Sequence, residues 1–96
     1  MVRVINMCVH EETVTLLNKV GLHARPAAMF VQTANKYKSN IKISKEEKEV
    51  DAKSILGVLS LAAFYNDEVK IRAEGEDAEE ALKQLVDLVN SKFGEE

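Results

Sequence analysis

One cysteine stands in 96 residues, so Cys8 has no partner for an internal disulfide. No apolar stretch approaches the ~20 residues of a membrane-spanning helix, and none resembles a secretory leader. A cytoplasmic location, with no membrane insertion, is therefore expected. Positive charge is also in short supply. Thirteen lysines and arginines against sixteen aspartates and glutamates leave a net charge of -3, and the cations are scattered, whereas a nucleic-acid module concentrates a basic surplus. Metal ligands are few: Cys8 and His10 have no second pair downstream, short of the four ligands of a structural zinc site, so no metal is expected. There is no repeat, no Gly/Ser linker and no GxxxxGK[ST] loop for a nucleotide.

What remains is one small domain, 46% hydrophobic and 30% charged, with material for one modest core. Its last helix is the clearest element. Asp77 stands at the cap position with Glu80 three residues on, as in a capping box; Ala78, Ala81, Leu82, Leu85, Leu88 and Val89 share one face, and Gly94 supplies a stop. Strands are expected at Thr13 to Leu17, Asn40 to Ser44 and Glu68 to Gly75, the last with Val69, Ile71 and Ala73 on one side. KEEKE suits a hairpin tip, which makes KEVD a short fourth strand. A helix from Ala24 to Tyr37 carries Ala27, Phe30, Val31, Ala34 and Tyr37 at helical spacing, with Pro26 tolerated in its first turn. Another runs from Ser54 to about Phe64. The order βαββαβα asks for an α+β fold with helices against one face of a mainly antiparallel sheet.

The second helix is apolar nearly all round, yet a helix on a sheet buries about half its circumference. If Val58, Leu61 and Ala62 face the sheet, then Ile55, Leu56 and Leu59 form an outer patch suited to docking; a short, wholly buried helix is the alternative. Gly57 lowers helix propensity and suggests close contact with something.

The first helix raises a chemical question. In GLHARPAAMFV, residues 21 to 31, a histidine and an arginine occupy the end where acids are favoured by the dipole. With His23 as N-cap, the N–H groups of Ala24 and Arg25 lack intrahelical partners and can hold an anion on the imidazole. Gly21 lets the chain turn tightly, Pro26 needs no donor, and the Arg25 fork matches phosphate oxygens. Helix dipole and Arg25 together favour a neutral, nucleophilic ring at His23. A phosphoryl group carried on His23 fits these residues, and it would have to come from a partner protein. A plain capping or surface histidine accounts for them as well. Ser54 is a preferred N-cap residue, and a phosphate on its hydroxyl would be stabilised by the same dipole while disturbing the adjacent patch.

GLHARPAAMFVQTANKY, followed about thirty residues later by DAKSILGVLSLA, resembles the HPr family, the histidine-containing phosphocarriers of the bacterial phosphoenolpyruvate-dependent sugar phosphotransferase system, over about residues 12 to 92. The resemblance implies an open-faced β-sandwich, four strands with three helices on one face. It implies that His23 accepts a phosphoryl group from phospho-enzyme I and donates it to IIA domains of sugar transporters. It assigns Arg25 to the active site, Pro26 to the helix start, and Ala24, Arg25, Ala28, Ile55, Leu56 and Leu59 to partner docking. Ser54 matches the serine phosphorylated by HPr kinase/phosphorylase, and an alternative role follows: a regulatory module whose phospho-Ser54 binds a CcpA-type transcriptional regulator. The implied protein is a monomeric carrier rather than a stand-alone enzyme. It needs no cofactor beyond the phosphoryl group that phosphoenolpyruvate supplies through enzyme I. The relative Crh lacks the active histidine, so His23 argues against a purely regulatory paralogue. Two stretches depart from the family. Residues 1–11 form an extension of unknown role ahead of a domain at 12–96, and AAFYNDE replaces a glycine-rich turn, with Asn66 expected in the left-handed conformation.

Overall fold

Alternation along the strands decides the sheet. In the computed structural model, which describes residues 9–95, β1 spans Val9–Thr15, β2 Asn40–Lys45, β3 Lys48–Asp51 and β4 Glu68–Glu74. They form one antiparallel sheet in the order β1-β4-β2-β3. Register pairs Ile43 with Ile71, Ile41 with Ala73 and Val14 with Val69, all buried and on one face. Lys42, Lys70 and Arg72 fall on the other face and meet water. There Glu11 lies 3.8 Å from Lys70 and 3.7 Å from Arg72, exposed pairs that add little to stability.

Helices α1 (Ala24–Ala34), α2 (Ile55–Ser60) and α3 (Ala78–Asn90) cover the apolar face, and a 3-10 turn follows at Lys92–Gly94. Phe30, Val58, Leu85 and Val89 are wholly enclosed among them. The element order and the open-faced sandwich expected from the sequence are both present.

Several boundaries differ. The first strand begins at Val9 rather than Thr13 and ends at Thr15, so Val9, His10 and Glu11 pair with Glu74, Ala73 and Arg72 and residue 11 lies inside β1. The seven residues of β4 offer a full edge of backbone donors and acceptors, and β1 uses all of it although its HEE stretch has no apolar signal. Cys8 lies outside the described residues. The first helix stops at Ala34, where Asn35 Nδ2 donates to Val31 O at 2.9 Å and Lys53 O at 3.2 Å. The second stops at Ser60. Lys45 Nζ donates to Ala62 O at 2.9 Å and Lys48 Nζ to Ser60 O at 2.8 Å, so the β2–β3 hairpin supplies the donors that carbonyls at a helix end lack. Ala62 then takes φ 51° and points to solvent instead of facing the sheet, and Ala63 is buried in its place. Val86 is buried on α3, where Leu88 is only half-buried.

Asp77 sits at the N-cap of α3, but its carboxylate is used elsewhere. It accepts from Lys38 N at 2.9 Å, Ser39 N at 3.0 Å and Ser39 Oγ, tying the start of α3 to the entry of β2, and makes no side-chain cap bond. The N–H groups of Lys38 and Ser39 lie ahead of the ladder and need an acceptor, which a carboxylate satisfies twice over.

Hydrogen bonds from the Ser39 hydroxyl and then the Lys38 N–H hold the Asp77 carboxyl below its ordinary value of 3.8. A group depressed on folding contributes stability fully above its unfolded value and loses it as pH falls through the folded one. Asp77→Asn is therefore expected to lower the urea midpoint at about pH 7, with the gap to wild type closing as pH drops below that of an ordinary carboxylate. An equal gap at both ends of the titration would show that the charge contributes nothing.

Candidate functional site

The approach to α1 is set by a turn. Gly21 takes φ 63°, and a Cβ there would lie 2.5 Å from Phe64 Cα and 2.6 Å from Ala63 O, so no side chain fits. Gly21 N donates to Asn18 O at 3.1 Å, Asn18 Nδ2 returns a bond to Gly21 O at 2.9 Å, and Leu22 N donates to Ala63 O at 2.9 Å. Leu22 is thereby driven into the core. The next residue, His23, is carried to the surface as the N-cap of α1, with extended φ -91° and ψ -167°.

Its imidazole makes no cap bond and its side chain is 49% exposed. The first intrahelical donor is Ala27, bonded to His23 O at 2.8 Å. Ala24 and Arg25 come before it, with their N–H groups free of the helix ladder, and Pro26 has none to leave unpaired. No acid stands in this first turn, and Arg25 is exposed without an ion-pair partner among the described residues. His23, Ala24, Arg25 and Pro26 thus come together as a site with donors and positive potential but no built-in anion on the helix itself.

Ser54 is the N-cap of α2, as expected: its Oγ accepts from Gly57 N at 3.1 Å. A Cβ on Gly57 would stand 3.3 Å from that oxygen, which explains the close contact anticipated there. Leu56 is 76% exposed, and Ile55 and Leu59 are exposed with it, while Val58 and Leu61 are buried. The wholly buried alternative for this helix is excluded, and the outer patch is real. Helices α1 and α2 pack together, and Ala63 and Phe64 abut Gly21, so the patch adjoins the start of α1. Ala28, on α1, is half-buried.

Three features escaped the sequence reading. Phe64 and Tyr65 are both exposed beyond the end of α2, in the loop where Asn66 takes the expected positive φ, 75°. Asp67 pins that loop by accepting from Phe64 N at 2.8 Å and pairing with Lys45 at 3.0 Å; the first of these, then the lysine, hold its carboxyl below the usual carboxylate range. Lys45 Nζ also lies 5.7 Å from the Phe64 ring centre. Finally, Glu95 reaches the site from the far end of the chain: its Oε2 is 3.9 Å from His23 Nε2, and its Oε1 accepts from Asn18 Nδ2 at 3.0 Å. No local pattern signals a contact across that sequence separation.

Comparison with known proteins agrees with the geometry. Residues 10–91 match the family model described as the PTS HPr component phosphorylation site. The phosphocarrier protein HPr of Xylella fastidiosa (strain Temecula1 / ATCC 700964) is 46% identical over 90 residues, covering 94% of this chain and 99% of its own. A crystal structure of HPr-C-His from Thermoanaerobacter tengcongensis superposes with a TM-score of 0.89 at 57% identity, covering 91% of this chain and 98% of that one. The solution structure of Crh, the catabolite repression HPr of Bacillus subtilis, superposes at 0.64 with 46% identity, covering 83% and 95%. Among the described residues no helix is long and apolar enough to cross a membrane.

Proposed function

The chain belongs to the HPr family, the phosphocarriers of the phosphotransferase system, and from that premise we propose that His23 is the residue that carries the phosphoryl group. The observation that supports this most is the half-exposed imidazole at the N-cap of α1, which makes no cap bond of its own. The phosphoryl group passes from phospho-enzyme I to the ring nitrogen: the P–N bond of the donor breaks as the P–N bond to His23 forms, and no water is consumed. The N–H groups of Ala24 and Arg25 and the Arg25 guanidinium receive the phosphoryl oxygens. Such a transfer needs positioning and charge stabilisation more than a base, so a domain this small suffices without metal or other cofactor. The same steps in reverse direction, toward a IIA domain of a sugar transporter, discharge the carrier.

Docking falls to Ile55, Leu56 and Leu59 on α2 with Ala24, Arg25 and Ala28 on α1, acting as a single copy in the cytoplasm. Ser54 gives the surface a switch. A phosphate on its Oγ adds about two negative charges at the edge of the apolar patch. That disfavours an acidic partner and creates an anionic feature for a CcpA-type regulator to read. The similarity to Crh, the catabolite repression HPr of Bacillus subtilis, supports this second role.

Incubation with enzyme I and phosphoenolpyruvate is expected to place an acid-labile phosphate on the wild type and none on His23→Ala; equal labelling of the variant would refute the assignment. Arg25→Ala is expected to remain folded and to slow transfer by about ten- to a hundred-fold, the loss of one charge-assisted hydrogen bond to phosphate. Ser54→Asp is expected to weaken calorimetric binding to enzyme I by roughly five-fold or more. Unchanged affinity would remove the switch.

A further inference from the structure

The loop before α1 and the loop after α2 run side by side. Leu16 N donates to Asp67 O at 2.9 Å, Asn66 N donates to Leu16 O at 2.8 Å, and Leu22 N donates to Ala63 O at 2.9 Å. Between these ties four large apolar side chains face water. Phe64 and Tyr65 are 58% and 56% exposed on one loop, and Leu17 and Val20 are 40% and 43% exposed on the other. A cluster of this kind on a small domain marks a contact surface, and aromatic side chains are its strongest anchors.

The loop that carries the aromatics is held in shape. Ala62 and Asn66 bracket it with φ of 51° and 75°, two non-glycine residues in the left-handed region. Lys45 Nζ donates to Ala62 O at 2.9 Å, pairs with Asp67 at 3.0 Å and lies 5.7 Å from the Phe64 ring centre, while Asp67 accepts from Phe64 N at 2.8 Å. Strain and four polar contacts thus keep two rings directed outward, where hydration alone disfavours them. An anchor set in advance binds with little loss of conformational freedom.

Position selects the occupant. Phe64 Cα abuts Gly21, two residues before His23, and α2, with Ile55, Leu56 and Leu59, runs into the same loop. A protein whose phosphorylated side chain meets His23 must lie over this corner. A stable contact takes about 800 Å² from each partner, some 20–30 residues, more than the outer face of α2 and the first turn of α1 supply. It therefore continues onto the adjoining apolar loops. Lys19 and Arg25 are exposed cations at the rim without ion-pair partners among the described residues, so the complementary surface is an apolar pocket edged by carboxylates.

We infer that Phe64 and Tyr65, seated by Lys45 and flanked by Leu17 and Val20, are specificity-determining residues that fill an apolar, acid-rimmed pocket on the protein that delivers the phosphoryl group. The inference rests on the carrier reading of His23. Neither ring touches the reacting atoms, so both act on binding and leave the transfer step alone.

The test is the rate of phosphoryl transfer from enzyme I with the carrier as the varied substrate. The double variant Phe64→Ala/Tyr65→Ala is expected to raise KM by about ten- to fifty-fold with kcat within about two-fold of wild type, and with the urea midpoint unchanged because both rings are exposed. Tyr65→Phe, which keeps the ring, is expected to retain the wild-type KM. Val20→Glu, which sets a negative charge against the acidic rim, is expected to raise KM by about five-fold or more. Unchanged KM in the double variant and in Val20→Glu overturns the inference while leaving the carrier reading intact; a wild type that takes no phosphate on His23 brings down both. A fall in kcat with KM unchanged also overturns it, as does a wild-type dimer in sedimentation that the double variant dissociates, which would give the patch to a second copy of this chain.

Discussion

The contact on which the site depends is the seating of Gly21 and Leu22 against Ala63 and Phe64. One hydrogen bond, Leu22 N–H to Ala63 O, and one position with no room for a Cβ bring the loop before α1 onto the loop after α2. Leu22 goes into the core, so its neighbour His23 must go to the surface, at the point where α1 begins and its first N–H groups are still free. The alternation of buried and exposed side chains at this corner is what converts a packing constraint into an exposed histidine at a helix start. The helix dipole and Arg25 then act on a group whose placement has already been determined by apolar burial.

The far end of α2 is held with comparable care. Lys45 and Lys48, from the charged hairpin between β2 and β3, bond the carbonyls of Ala62 and Ser60, and Asp67 completes the arrangement through Lys45 and the Phe64 N–H. A six-residue helix has little stability of its own. Bonded at Ser54 at one end and by two lysines at the other, it can leave Leu56 exposed without unravelling. The same short helix therefore presents an exposed apolar patch and a serine at its edge, while its anchor loop supports the histidine. The proposed carriage at His23 and the proposed regulation at Ser54 are therefore mechanically adjacent in this fold.

Much of this is legible in the chain itself. The βαββαβα order, the inward positions of Ile41, Ile43, Val69, Ile71 and Ala73, the caps at His23 and Ser54 and the left-handed Asn66 all follow from local periodicity or backbone preference. What was not legible is non-local or polar. The start of β1 reads as HEE, an exposed edge whose partner lies sixty residues away in β4, so pairing rather than hydrophobicity sets it. The end of α2 is cut by lysines from another element, which sends Ala62 outward. Asp77 abandons the expected cap because the entry of β2 needs its carboxylate more. Asn18 and Glu95 meet only because the chain reverses after α3, and nothing near either residue announces it.

The central claim is that the start of α1 is built to hold a phosphoryl group on His23. Amide NMR before and after phosphorylation by phospho-enzyme I tests it most directly, because the receiving donors are backbone N–H groups that side-chain truncation leaves in place. The account predicts that the largest shifts fall on the amides of Ala24 and Arg25, together with a phosphorus signal coupled to the His23 ring. A phosphorylated protein whose Ala24 and Arg25 amides do not move, or whose phosphorus couples to another residue, would contradict it.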